Sequence, residues 1–89
     1  MSKQITMYAT AVCPFCIRAE QLLEREGVDE LNLIRVDLQP EQKQEMIKLT
    51  GRRTVPQIFI GDYHVGGCDE LEDLLRDGEF KTLLADDEH

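Results

Sequence analysis

Gln4-Ile5-Thr6-Met7-Tyr8, leading through Ala9-Thr10-Ala11-Val12 into Cys13-Pro14-Phe15-Cys16, is the stretch on which the fold turns. Ile5 and Met7 alternate with polar neighbours, as one face of a short strand requires. From Pro14 to Glu26 the apolar residues Phe15, Ala19, Leu22 and Leu23 recur at helical spacing. Proline suits a first helical position, where its missing N–H costs nothing, and Gly27 supplies the stop. A thiol pair therefore sits where a strand gives way to a helix.

Outward from that junction the pattern keeps alternating. Asn32–Leu38 sets Ile34, Val36 and Leu38 against Arg35 and Asp37, predicting a half-buried strand. A second helix follows, with Pro40 and Glu41 in its first turn, Met46, Ile47 and Leu49 on its buried side, and Gly51 as its cap. Gln57–Ile60 is a β-rich apolar run, joined by Gly61-Asp62 to Tyr63-His64-Val65 as a hairpin. Asp69, three residues before Glu72, predicts a capping-box start for a helix using Leu71, Leu74 and Leu75, with Gly78 interrupting before Phe80, Leu83 and Leu84. The order is β-α-β-α-β-β-α, an α/β arrangement whose first two strands are joined by a helical crossover and run parallel.

Eighty-nine residues make one domain, with residues 86–89 as an acidic tail. A net charge of -8 opposes nucleic acid or an anionic membrane as partner, since both demand positive surface. No apolar run is long enough for a signal peptide or a transmembrane helix, so the expected location is the cytoplasm. Three cysteines are too few for a disulfide scaffold and point to chemistry.

Two cysteines three apart on a first helical turn can alternate between dithiol and disulfide. With no N–H on Pro14, the free donors of the turn are those of Phe15 and Cys16. Aimed at the Cys13 sulfur together with the helix dipole, they favour its thiolate. Cys13 is thus expected to be an exposed nucleophile and Cys16 the inner resolving thiol. The competing reading is half a zinc site completed by His64 and Cys68; no second Cys-x-x-Cys or His-x-x-His supports it, and no metal is expected.

Cys13-Pro14-Phe15-Cys16, Thr54-Val55-Pro56 and Gly66-Gly67-Cys68-Asp69 occur in the order and spacing of the dithiol glutaredoxins, and over nearly its whole length the chain resembles the small bacterial members of that family. The resemblance implies a thioredoxin fold with a four-stranded mixed sheet, a cis Val55–Pro56 bond opposite the thiols, and glutathione as co-substrate. It implies an enzyme that reduces protein–glutathione mixed disulfides and protein disulfides, as a monomer, with reducing equivalents reaching it from NADPH through glutathione reductase. Its implied glutathione-binding residues are Phe15, Lys43, Thr54, Val55, Pro56, Gly67, Cys68 and Asp69. Lys43 stands where the family carries a basic or amide residue near the glycyl carboxylate, with Arg52 and Arg53 nearby. One position departs: three residues before the nucleophile the family commonly has lysine, and this chain has Thr10. Two rival readings are a cluster-carrying dimer, opposed by Pro14 and Cys16, and a thioredoxin-like reductant served by a flavoprotein, opposed by the Pro-Phe dipeptide and the Gly-Gly-Cys-Asp element.

Overall fold

The computed structural model describes residues 3–85. The acidic stretch 86–89 lies outside the described residues. The elements are β1 (Ile5–Ala9), α1 (Pro14–Arg25), β2 (Leu31–Arg35), α2 (Pro40–Thr50), β3 (Gln57–Ile60), β4 (Tyr63–Gly66), α3 (Cys68–Asp77) and α4 (Phe80–Ala85). They follow the expected order, except that Gly78, in the left-handed region at φ 76°, closes α3 and leaves α4 as a separate short helix.

The sheet runs β2-β1-β3-β4, with β1 and β2 parallel and both other pairs antiparallel. This is the mixed four-stranded sheet of the thioredoxin fold. Strand alternation divides the interior in two. Ile5, Met7 and Ala9 of β1 and Ile58 and Ile60 of β3 face α1 and α3, packing on Ala19, Leu23, Leu71 and Phe80. On the other face Tyr8 meets Val36 and Met46, with Ile34, Ile47 and Phe59 partly buried around them.

Three local expectations are corrected. β2 ends at Arg35 rather than Leu38, because the N–H groups of Leu38 and Gln39 both bond to the Arg35 carbonyl and turn the chain; Leu38 points to solvent, 68% exposed. Leu49 is not buried in α2 but half exposed, flanking Tyr8 and Phe59 over a shallow cavity. The cap of α3 is Gly67, not Asp69. Glu70 reaches back to accept the Gly67 N–H at 2.6 Å, while Glu72 faces α1 and pairs with Arg18.

Candidate active site

The first helix begins on its own sulfur. Cys13, extended at φ -150°, ψ 101°, is the N-cap of α1, and its Sγ accepts the Cys16 N–H at 3.2 Å. Of the two amide donors expected, only that of Cys16 makes this bond. In its thiol form Cys13 also donates to the Val55 carbonyl at 3.8 Å, which ties the helix start to the segment opposite. The sulfur is less open than expected: Cys13 is only 9% exposed, although Val12 beside it is 92% exposed and Phe15 60%. The Val55 carbonyl and the Cys16 amide both lie against it.

Cys16 is one turn in and 3% exposed. Burial, and its hydrogen bond to Cys13, push its thiol up to about 12, with the Thr10 backbone amide working the other way. Cys16 is therefore protonated at neutral pH. Cys68 is likewise buried, and burial followed by the nearby Glu72 carboxylate raises its thiol above the ordinary value.

The loop before Cys13 is held from β2. Asp37 accepts the Ala11 N–H at 3.2 Å and is gripped by Arg35 at 2.7 and 2.8 Å. The guanidinium holds the Asp37 carboxyl well below the usual carboxylate range, so this tie is ionised wherever the protein works.

Val55–Pro56 is cis. Pro56 is buried, Val55 half-buried and Thr54 exposed. The Val55 N–H has no partner among the described residues. Beside it opens a cavity of about 180 Å³ walled by Thr54, Val55, Pro56 and Gln57, by Gly67, Cys68, Asp69 and Glu70 at the start of α3, and by Phe15 and Arg52. Gly66 precedes that helix at φ 114°, a region side chains rarely adopt, and a Cβ there would come within 2.7 Å of the Glu70 carboxylate.

Seven of the eight residues expected around glutathione thus line one cavity. The eighth, Lys43, is exposed on the first turn of α2 and is not in the lining. The cavity's basic side chain is instead Arg52, 3.8 Å from Glu70. Sequence reasoning passed over Gln57, the one buried polar side chain among the described residues, at 1% exposure. Its position directly after Pro56, at the start of an otherwise apolar strand, was the available signal. His64, weighed above with Cys68 as the other half of a zinc site, lies within 2.7 Å of it and stacks on Phe59. Burial and then Arg52 lower the His64 imidazole from its ordinary value, with Glu70 opposing. Among the described residues no cluster of three or more His, Cys, Asp or Glu is placed to hold a metal ion, and no helix is long and apolar enough to cross a membrane.

The sequence model of the glutaredoxin family matches residues 5–65. A glutaredoxin of Pseudomonas aeruginosa is 51% identical over 81 residues, which span 91% of this chain and 95% of that protein. The chain belongs to the glutaredoxin family. Solved structures agree: a glutaredoxin from Brucella melitensis superposes with a TM-score of 0.81 at 44% identity, covering 93% of this chain and 89% of the other. A buckwheat glutaredoxin–glutathione complex does so with a TM-score of 0.84 at 29% identity, covering 93% and 77%. As a glutaredoxin, the protein is a glutathione-dependent thiol-disulfide oxidoreductase with glutathione as its co-substrate.

Proposed function

We propose that Cys13 is the nucleophile of this glutaredoxin, Cys16 its resolving thiol, and the cavity between Thr54–Pro56 and Gly67–Asp69 its glutathione site. The observation that carries this reading is the junction itself: the capping sulfur of α1 lies 3.8 Å from the Val55 carbonyl, and the Val55 N–H beside it is unpartnered among the described residues. A cysteinyl residue held strand-fashion on both Val55 groups brings its own sulfur to Cys13.

The Cys13 thiolate attacks the glutathione sulfur of a protein–glutathione mixed disulfide. That S–S bond breaks, the protein thiolate leaves and takes up a proton, and Cys13 is left glutathionylated. A second glutathione thiolate attacks the bound glutathione sulfur, releasing glutathione disulfide and restoring Cys13. For a protein disulfide, Cys13 joins one protein sulfur and expels the other. Cys16 then attacks Cys13, frees the remaining protein thiol and forms the internal bridge, which two glutathiones reduce. Cys16 stays idle until needed: the hydrogen bond and charge of Cys13 help keep it protonated, and a mixed disulfide at Cys13 removes both, leaving burial and Cys68 to raise its thiol and the Thr10 backbone to lower it.

The substrates are glutathionylated or disulfide-containing proteins, and the enzyme works as a cytoplasmic monomer supplied from NADPH through glutathione reductase. Asp69 and the α3 N-terminus hold the γ-glutamyl ammonium and carboxylate, Phe15 and Cys68 flank the ligand, and Arg52 is better placed than Lys43 for the glycyl carboxylate. The test is a coupled assay with glutathione, glutathione reductase and a small glutathione mixed disulfide. Turnover saturating in glutathione is expected; no glutathione-dependent turnover by the folded protein would sink the proposal.

A further inference from the structure

Gln57 makes more bonds than a strand residue needs. Its side-chain nitrogen donates to the Thr54 carbonyl at 3.0 Å and approaches the Thr54 hydroxyl at 3.4 Å, and its oxygen lies 2.7 Å from His64 Nε2. With the amide nitrogen committed to a carbonyl, the amide oxygen must accept, so His64 Nε2 carries the hydrogen. The hydrogen-bond direction is thus fixed along the chain: His64 donates to Gln57, and Gln57 donates to Thr54. The imidazole is itself held in place by stacking on Phe59, with ring centroids 5.0 Å apart and an angle of 31°.

The end of this chain is one peptide plane from the site. The Thr54 carbonyl and the Val55 N–H belong to the same planar unit, and Val55–Pro56 is the cis bond recorded in this segment, so across the trans Thr54–Val55 bond the two groups point in opposite directions. Whatever anchors the Thr54 oxygen therefore aims the Val55 N–H. We propose that Gln57, oriented by His64, is a positioning residue that presents the Val55 N–H to the cysteinyl backbone of glutathione. This rests on the glutathione-binding reading given above and assigns it a supporting pair, His64 acting through Gln57 and Gln57 through the Thr54 carbonyl. A mobile Val55 peptide would still admit the ligand, but would have to be ordered each time it bound, which weakens affinity and leaves the exchange of sulfurs intact.

The experiment compares Gln57→Leu, which keeps the volume and removes both hydrogen bonds, His64→Phe, which keeps the stack on Phe59 and removes the donor, and the double variant. Steady-state turnover is measured against glutathione concentration, and Cys13 reactivity is measured with iodoacetamide. Gln57→Leu is expected to raise the apparent KM for glutathione by about three- to tenfold, the scale of one hydrogen bond. Its kcat and alkylation rate should stay within about twofold of the parent, because the thiols are untouched. His64→Phe should shift KM in the same direction by less, and have no further effect once Gln57 is leucine, since it acts through Gln57. An unchanged KM in folded Gln57→Leu overturns the proposal. So does a fall in kcat with KM constant, or an effect of His64→Phe that simply adds to that of Gln57→Leu. Should Gln57→Leu fail to fold, the half-buried His64→Phe decides alone: an unchanged KM there overturns the relay. A parent protein that itself fails to use glutathione overturns the binding reading instead, so the two failures are told apart before any variant is compared.

Discussion

Helices α1 and α3 bring their N-termini to one cleft and treat their first-turn amides in opposite ways. In α1 an amide is taken by the protein's own sulfur, the Cys16 N–H on Cys13 Sγ at 3.2 Å. In α3 the cap is a glycine with no side chain to offer; Glu70 satisfies the Gly67 N–H, and the Asp69 and Glu70 N–H groups have no partner among the described residues. On the proposed reading the first terminus serves the protein's own nucleophile and the second is left for a ligand carboxylate, divided by whether the capping residue carries an acceptor.

The largest effects test the α1 side of this division. Cys13→Ser should abolish glutathione-dependent exchange, by about a thousandfold or more, because a serine hydroxyl is neither ionised nor a sulfur nucleophile near neutral pH. Cys16→Ser should retain reduction of a small glutathione mixed disulfide and lose reduction of protein disulfides by the two-thiol route. Because Cys16 must lose a proton to attack and burial still raises its thiol once Cys13 is held in a mixed disulfide, the two-thiol route should also climb with pH between 7 and 9. Rapid-quench assays on the two substrates read both; equal loss of both activities in folded Cys16→Ser would replace this division of labour with an obligate dithiol mechanism.

A smaller effect tests the α3 side. Arg52 lines the cavity and Lys43 does not, so Arg52→Glu should raise the apparent KM for glutathione about fivefold and Lys43→Glu less than twofold, as screening at an exposed surface allows. The reverse order, measured in the same assay, would move the glycyl carboxylate toward α2. The smallest concerns Thr10. It stands three residues before Cys13, so Thr10→Lys, which adds a cation near the thiol pair, should speed alkylation of Cys13 at pH 6 by about threefold or less; no change would mean that the added ammonium turns away into solvent.

Much of this arrangement was legible before the structure. Proline and glycine mark both ends of α1 and α2, and the alternation of Ile5 and Met7 fixes which face of β1 enters the larger core, so the element order followed from local chemistry. The cavity was legible as far as resemblance to known motifs reached. What escaped were effects of three-dimensional approach. Leu38 and Leu49 have core-like identities, but a turn at Arg35 and the limited reach of α2 over the sheet leave them in water. Asp69 and Glu72 have the spacing of a capping box, yet Glu70 is the residue whose carboxylate meets the Gly67 amide, while Glu72 is claimed by Arg18 of another helix. The predicted hairpin sets His64 opposite Phe59 and so diagonal to Gln57 on one face, but the hydrogen bond between them depends on side-chain orientation that the sequence does not carry.

The unequal division of the interior sets an order of opening. Among the described residues thirteen buried side chains knit β1 and β3 to α1, α3 and α4, but only Tyr8, Val36 and Met46 are buried beneath α2. Local unfolding follows the apolar contact it must break, so α2 should exchange its amide hydrogens for deuterium well before β1, β3 and α1, by a partial opening that leaves the thiol pair in its native setting. Protection in α2 equal to that of β1 would instead show a single cooperative unit. If α2 does open alone, the protein can loosen the helix that carries Lys43 without releasing Cys13 from its cap, and proteolytic cuts or tolerated substitutions should collect on that side of the sheet.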